Sequence, residues 1–79
     1  MGSKRLDRLM ERPKDYTWDE LIALLKSLGY EMRTGSGSRR RFIDAEKRKI
    51  LLHEPHPGNI LKRYQIDGVL ERLQEHGKI

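Results

Sequence analysis

The chain has no cysteine. That excludes a disulfide framework and any thiolate metal site, and leaves His53, His56 and His76 as the only imidazoles able to bind a metal. No apolar run comes near the roughly 20 residues that span a bilayer. The N-terminus lacks the apolar h-region of a signal peptide, so a soluble cytoplasmic protein is expected. Length is also scarce. Seventy-nine residues hold one small domain and leave no room for a second. A chain this short buries only about 60% of the surface its unfolded form exposes, so its core must be thin and open to completion by a partner. Charged residues (37%) outnumber hydrophobic ones (35%). The apolar residues nevertheless fall in periodic clusters, which indicates a folded domain and not a disordered chain.

What is present in excess is positive charge, and it is concentrated. The formal net charge is +5. Arg33, Arg39, Arg40, Arg41, Lys47, Arg48 and Lys49 face only Asp44 and Glu46 within their segment, which accounts for the whole +5. The remainder of the chain is neutral. A field localised in this way attracts polyanions by Coulomb attraction and by release of their counterions. A solvated basic surface is the plainer alternative, but the confinement of the excess to one segment favours a nucleic-acid contact.

Hydrophobic spacing predicts the elements. Lys4 to Arg12 suits a short helix with Leu6, Leu9 and Met10 on one side, ended by Pro13. Residues 1–13 are thus an N-terminal extension or short helix ahead of a single domain over 14–79, and Met1 to Ser3 carry no structural signal of their own. Thr17 and Glu20 have capping-box spacing, and Tyr16 and Leu21 are placed for a hydrophobic staple. Leu21, Leu24, Leu25 and Leu28 then form an apolar stripe that stops at Gly29, predicting a helix from about Trp18 to Leu28. Strands are predicted over Tyr30–Thr34, Arg39–Asp44 and Lys49–His53, with Gly35-Ser36-Gly37-Ser38 as the first turn. Glu54 to Asn59 holds two prolines and a glycine and is a loop. Ile66, Val69, Leu70 and Leu73 mark a last helix ended by Gly77, preceded by Tyr64, with Gly68 in its first turn. The order α-β-β-β-α gives an α+β fold, a three-stranded antiparallel sheet with its helices on one face.

Alternation within the strands assigns the two faces. Phe42, Ile50 and Leu52 point inward, while Arg39, Arg41, Ile43, Lys49, Leu51 and His53 share the open face. Arg40 falls on the inner face near the strand start, where its stem can carry the guanidinium to solvent. Ile43 and Leu51 have no core to enter on the open side, and aliphatic residues amid charge suggest a contact surface.

Several short pieces then line up in a familiar order. They are Arg12-Pro13, Tyr16-Thr17-Trp18-Asp19-Glu20-Leu21, Leu24-Leu25-Lys26-Ser27-Leu28-Gly29-Tyr30, Gly37-Ser38-Arg39-Arg40-Arg41-Phe42, His53-Glu54-Pro55-His56-Pro57-Gly58 and Leu61-Lys62-Arg63-Tyr64. In order and spacing they resemble the HicA toxins of bacterial type II toxin–antitoxin systems. That resemblance implies a double-stranded-RNA-binding-domain-like fold, metal-independent cleavage of mRNA, and a HicB-like antitoxin as protein partner. The chain departs from the family at one point. The family's Gly-Ser-His, whose histidine is held to be catalytic, corresponds here to Gly37-Ser38-Arg39, as in a divergent branch.

Metal-free RNA cleavage needs a base for the 2′-hydroxyl proton, an acid for the leaving 5′-oxygen, and cations for the charged phosphorane. Histidine suits the proton transfers and arginine the charge. The candidate catalytic set is His56 first, His53 second, and Arg39 for charge stabilisation, provided that the loop folds His56 back over the open face. Arg39, Arg41, Lys49, Lys62 and Arg63 are the candidate RNA contacts, and Ile43 and Leu51 the candidate partner contacts. The alternative role for His56 is to cap the last helix or to stiffen its turn. His53 and His56 find no third ligand, so no metal and no cofactor is expected. Gly35-Ser36-Gly37-Ser38 is not a P-loop, because no Gly-Lys-Ser/Thr follows it. Trp18 suits the core better than a base-stacking platform, and His76 suits a helix C-terminus. A module that holds RNA without cutting it, and an interaction protein whose open face only seats a partner, stay open as alternatives.

Overall fold

The computed structural model describes residues 4–79; Met1 to Ser3 lie outside the described residues. The elements are α1 (Lys4–Met10), α2 (Trp18–Ser27), β1 (Glu31–Thr34), β2 (Arg39–Ile43), β3 (Lys49–His53) and α3 (Arg63–Glu75). The strands form one antiparallel sheet in the order β1-β2-β3. α2 and α3 cover one face of it and α1 packs on those two helices, so the fold is the α+β, double-stranded-RNA-binding-domain-like arrangement with an added N-terminal helix. No described helix is long and apolar enough to cross a membrane.

Local chemistry sets the boundaries. Glu20 N–H donates to Thr17 Oγ1 at 3.1 Å, and Thr17 N–H donates back to Glu20 Oε1 at 3.3 Å, closing the capping box of α2. Past the end of α2, Gly29 takes φ +96, a left-handed value that a side chain would strain. At α3, Lys62 is the N-cap and its N–H donates to Gln65 Oε1 at 2.9 Å, so His56 does not cap this helix. Element ends fall a residue or two inside the expected ones at Met10, Ser27, Glu31 and Ile43, and two positions at the last helix differ from expectation. Tyr64 lies inside the first turn of α3, not ahead of it, because the helix begins at Arg63. Gly68 consequently sits in the second turn.

The core lies between the helices and the inner sheet face. Phe42 and Ile50 are buried beneath Leu21, Leu24, Leu25, Ile66, Val69 and Leu73, with Leu52 and Met32 half-buried beside them. Trp18 is buried and meets Phe42 edge to face, with ring centroids 5.9 Å apart. α1 joins the same core through fully buried Leu9. Arg8 holds α1 to the start of α2 by ion pairs with Asp15 (3.1 Å) and Glu20 (3.0 Å), and Tyr16 Oη donates to Arg5 O at 2.9 Å. The stretches before α2 and α3 are stitched by Trp18 N–H to Asn59 O at 2.7 Å and Leu61 N–H to Tyr16 O at 2.9 Å.

Candidate nucleic-acid interface

The open sheet face is a grid fixed by the strand register. Arg33, Arg41 and Leu51 stand in one cross-strand row, Glu31, Ile43 and Lys49 in another, and Arg39 pairs with His53. Arg39, Arg41, Lys49, Leu51 and His53 are all exposed, and Ile43 is half-buried. Arg39, Arg40, Arg41, Leu51 and Leu52 also line a depression with Gly35, Ser36 and His53, so the first turn and the strand cations share one concavity.

The seven basic residues of the +5 segment do different work. Arg40 is committed within the protein. Its guanidinium donates to Gly37 O at 2.9 Å and Arg39 O at 2.8 Å, and pairs with Glu54 at 3.1 Å, which pins the hairpin to the loop after β3. Arg48 is committed to Asp44 and Glu46, each at 3.0 Å. Arg33 pairs with exposed Glu31 at 3.2 Å. Among the described residues, Arg39, Arg41, Lys47 and Lys49 form no ion pair, so they are the cations available to a ligand.

Buried Asp44 organises the second turn. It accepts from the backbone N–H of Arg48 (2.8 Å) and Glu46 (3.0 Å) and from Arg48 Nε (3.0 Å), with Lys78 Nζ at 3.5 Å. Burial alone would push its carboxyl up. The Arg48 hydrogen bonds and the nearby Arg48 and Lys78 charges outweigh that and hold it below the usual carboxylate range. The turn that presents Lys47 and Lys49 is thereby fixed, with Lys47 in a left-handed conformation at φ 67.

The histidines separate. His53 stands at the end of β3, where Ser38 Oγ and His53 Nδ1 are 3.2 Å apart. Its backbone carbonyl accepts from Gln65 Nε2 at 2.8 Å, so ring and backbone are both positioned and Nε2 is the ring nitrogen left for a ligand. His56 is exposed in the 54–59 loop and is not among the residues lining the Arg39–His53 depression. His76 caps α3, and its Nδ1 lies 2.6 Å from Tyr30 Oη, away from this face. Lys62 and Arg63 stand at the start of α3, Lys62 without an ion pair among the described residues and Arg63 within 3.5 Å of Asp67. Sequence reasoning missed Ser38 as a partner of His53. The signal that finds it is the register, which places Ser38 opposite Glu54, one residue past His53.

A three-stranded antiparallel sheet with its helices on one face is a double-stranded-RNA-binding-domain-like fold. The family model of the HicA toxin of bacterial toxin–antitoxin systems matches residues 18–74, so the chain belongs to the HicA toxin family. No curated protein and no solved structure gives a significant match. The matched residues run from the start of α2 to the end of α3 and leave α1 outside.

Proposed function

We propose that the open face binds RNA and cleaves it without a metal, and that a HicB-like antitoxin neutralises the protein by covering this face. The observation that carries the proposal is the cluster of Arg39 and Arg41, without ion pairs among the described residues, beside an exposed, positioned His53, in a chain that belongs to a toxin family. In metal-free cleavage the 2′-oxygen attacks phosphorus and the bond to the 5′-oxygen breaks. The products are a 2′,3′-cyclic phosphate and a 5′-hydroxyl. The two arginines, with Lys49, hold the phosphate and stabilise its added charge. His53, through Nε2, takes the proton of the 2′-hydroxyl and then gives it to the leaving 5′-oxygen. This placement favours His53 over His56, which stands outside the depression. Lys62 and Arg63 extend the contact along the RNA backbone.

Arg39 where the family has histidine favours a second reading, RNA binding without cleavage, because a guanidinium stays protonated and transfers no proton at working pH. Induced expression of the chain alone separates the two. Growth arrest with mRNA fragments ending in 2′,3′-cyclic phosphate supports the nuclease; RNA binding with intact RNA supports the binding module. Antitoxin coverage has its own check. Ile43→Glu places a carboxylate among the open-face cations and should weaken the complex, and a complex that leaves Ile43 and Leu51 bare would refute this mode of neutralisation.

A further inference from the structure

β3 lies at one edge of the sheet, and part of its outer backbone is bare. The ends of the β2–β3 ladder establish this. Asp44 N–H donates to Arg48 O at 3.1 Å, and Glu54 N–H donates to Ser38 O at 2.8 Å. In the same register Arg40–Leu52 and Phe42–Ile50 are then the hydrogen-bonded pairs, so Lys49, Leu51 and His53 turn their N–H and C=O groups outward. His53 O is taken by Gln65 Nε2. The N–H and C=O groups of Lys49 and Leu51 have no partner among the described residues. The other edge differs: β1 is blunted by the charged pair Glu31 and Arg33. β3 instead carries Leu51, 68% exposed.

Beside the bare edge runs a groove between β3 and α3, walled by Ile50, Leu52, Tyr64, Gln65, Gly68 and Arg72. No carboxylate lines it, although Arg72 pairs with Glu75 at 2.6 Å. Tyr64 stands 69% exposed at its rim. Gly68 is the informative residue. It lies within a helix, where glycine is unfavourable relative to alanine. Its φ is not left-handed, and a Cβ built on it would meet nothing within 4 Å. The fold therefore does not need glycine there, and what its missing side chain leaves is space facing outward.

The geometry points to β3 as a docking edge for an extended, acidic segment of a partner protein, which adds as a fourth strand. Its backbone pairs with Lys49 and Leu51, and the Gln65 cap on His53 O sets where pairing stops. Alternate apolar side chains enter the groove over Gly68. Those between them, acidic, lie on the open face beside Lys49 and Arg41. This goes beyond the RNA reading and holds whether or not RNA is cleaved.

The test uses the full chain and a short capped peptide alternating glutamate and valine, followed by amide NMR. Saturable shifts and slowed exchange are expected at the Lys49 and Leu51 amides. Strand addition uses the peptide N–H groups of one edge only. Of two peptides, one N-methylated at every valine and one at every glutamate, one should lose about tenfold or more in affinity, equivalent to about 1.4 kcal/mol, and the other should bind nearly as before. Gly68→Leu fills the groove and should weaken peptide binding by a similar factor without lowering the melting temperature. Equal binding of the two methylated peptides, shifts confined to Arg39 and Arg41, or no binding would each overturn the proposal. So would protection of the Lys49 and Leu51 amides by single-stranded oligouridylate and not by the peptide, which would assign the edge to the RNA face.

Discussion

Arg41 and Phe42 are neighbours in the chain and opposites in environment. Phe42 is fully buried against Trp18, while Arg41 is exposed and free of ion pairs among the described residues. The same alternation runs through β3, where buried Ile50 and half-buried Leu52 are interleaved with Lys49, Leu51 and His53. One set of side chains holds the helices on the sheet, and the other is left for a ligand. Stability and the proposed function therefore draw on the same strands, and substitutions one residue apart should separate them.

The largest effect belongs to the inner face. Phe42→Ala removes a buried ring from a thin core and should cost about 3–5 kcal/mol. Net stabilities run about 5–15 kcal/mol for domains in general, so the variant loses a large share of its stability and should melt at a much lower temperature. Arg41→Ala, next door, should stay within about 0.5 kcal/mol of wild type. Urea or thermal melts of the two variants decide it. Equal losses would mean that the open face is part of the structural core.

Next comes His53→Ala. If the protein cleaves RNA, turnover should fall about 10²–10⁴-fold with the melt and RNA affinity nearly unchanged. EDTA should leave wild-type cleavage unaltered. His56→Ala serves as the contrast, since its loop lies outside the Arg39–His53 depression, and a larger loss there than at His53 would show that RNA recruits the loop on binding.

The sequence carried the inner face almost completely. The capping box, the leucine stripe and the alternation around Phe42 each rest on local rules, and each lies within a residue or so of its expected place. The open-face row of Arg39, Arg41, Lys49, Leu51 and His53 followed from the same period of two. Pairings between distant residues had no such signal. Composition counts seven cations in the segment alike, whereas the fold commits Arg40 to Glu54 and the hairpin carbonyls, and Arg48 to Asp44. Nor does any periodicity place His56, because a proline-flanked loop has none. The contact of Ser38 with His53 spans 15 residues and exists only once the register is set.

That sorting of cations has a measurable consequence. With four or five phosphate contacts on single-stranded RNA, the log–log salt dependence of affinity should have a slope of about −3 to −3.5, at ~0.7 per contact. Replacing Arg39 and Arg41 together by alanine should flatten it by about 1 to 1.5. Arg40→Ala and Arg48→Ala should change the slope far less, because those charges are already paired within the protein. A double variant with an unchanged slope would place RNA on another surface.

The smallest effect should come from the turn that joins the two faces. Asp44 is buried, bonded to the Arg48 and Glu46 amides, and holds Arg48 and Lys78 by charge. Its carboxyl titrates below the usual range because those bonds and charges outweigh burial. The ionised form is thus favoured in the folded state. Its contribution is fully present above the unfolded carboxylate value, about pH 4, and is lost as pH falls through the lower folded value. Glu20, bonded to Arg8 and Thr17, and Asp67, bonded to Arg12, are lowered as well and add to the same acid limb. Asp44→Asn keeps an acceptor for the two amides but removes the charge. At pH 7 it should lower the melting temperature modestly. Between about pH 5 and pH 2 its melting temperature should fall less steeply than that of wild type, since one of the titrating groups is gone. Because the turn also presents Lys47 and Lys49, RNA affinity at neutral pH should drop slightly. Parallel acid limbs for variant and wild type would mean that Asp44 contributes through its hydrogen-bond geometry alone.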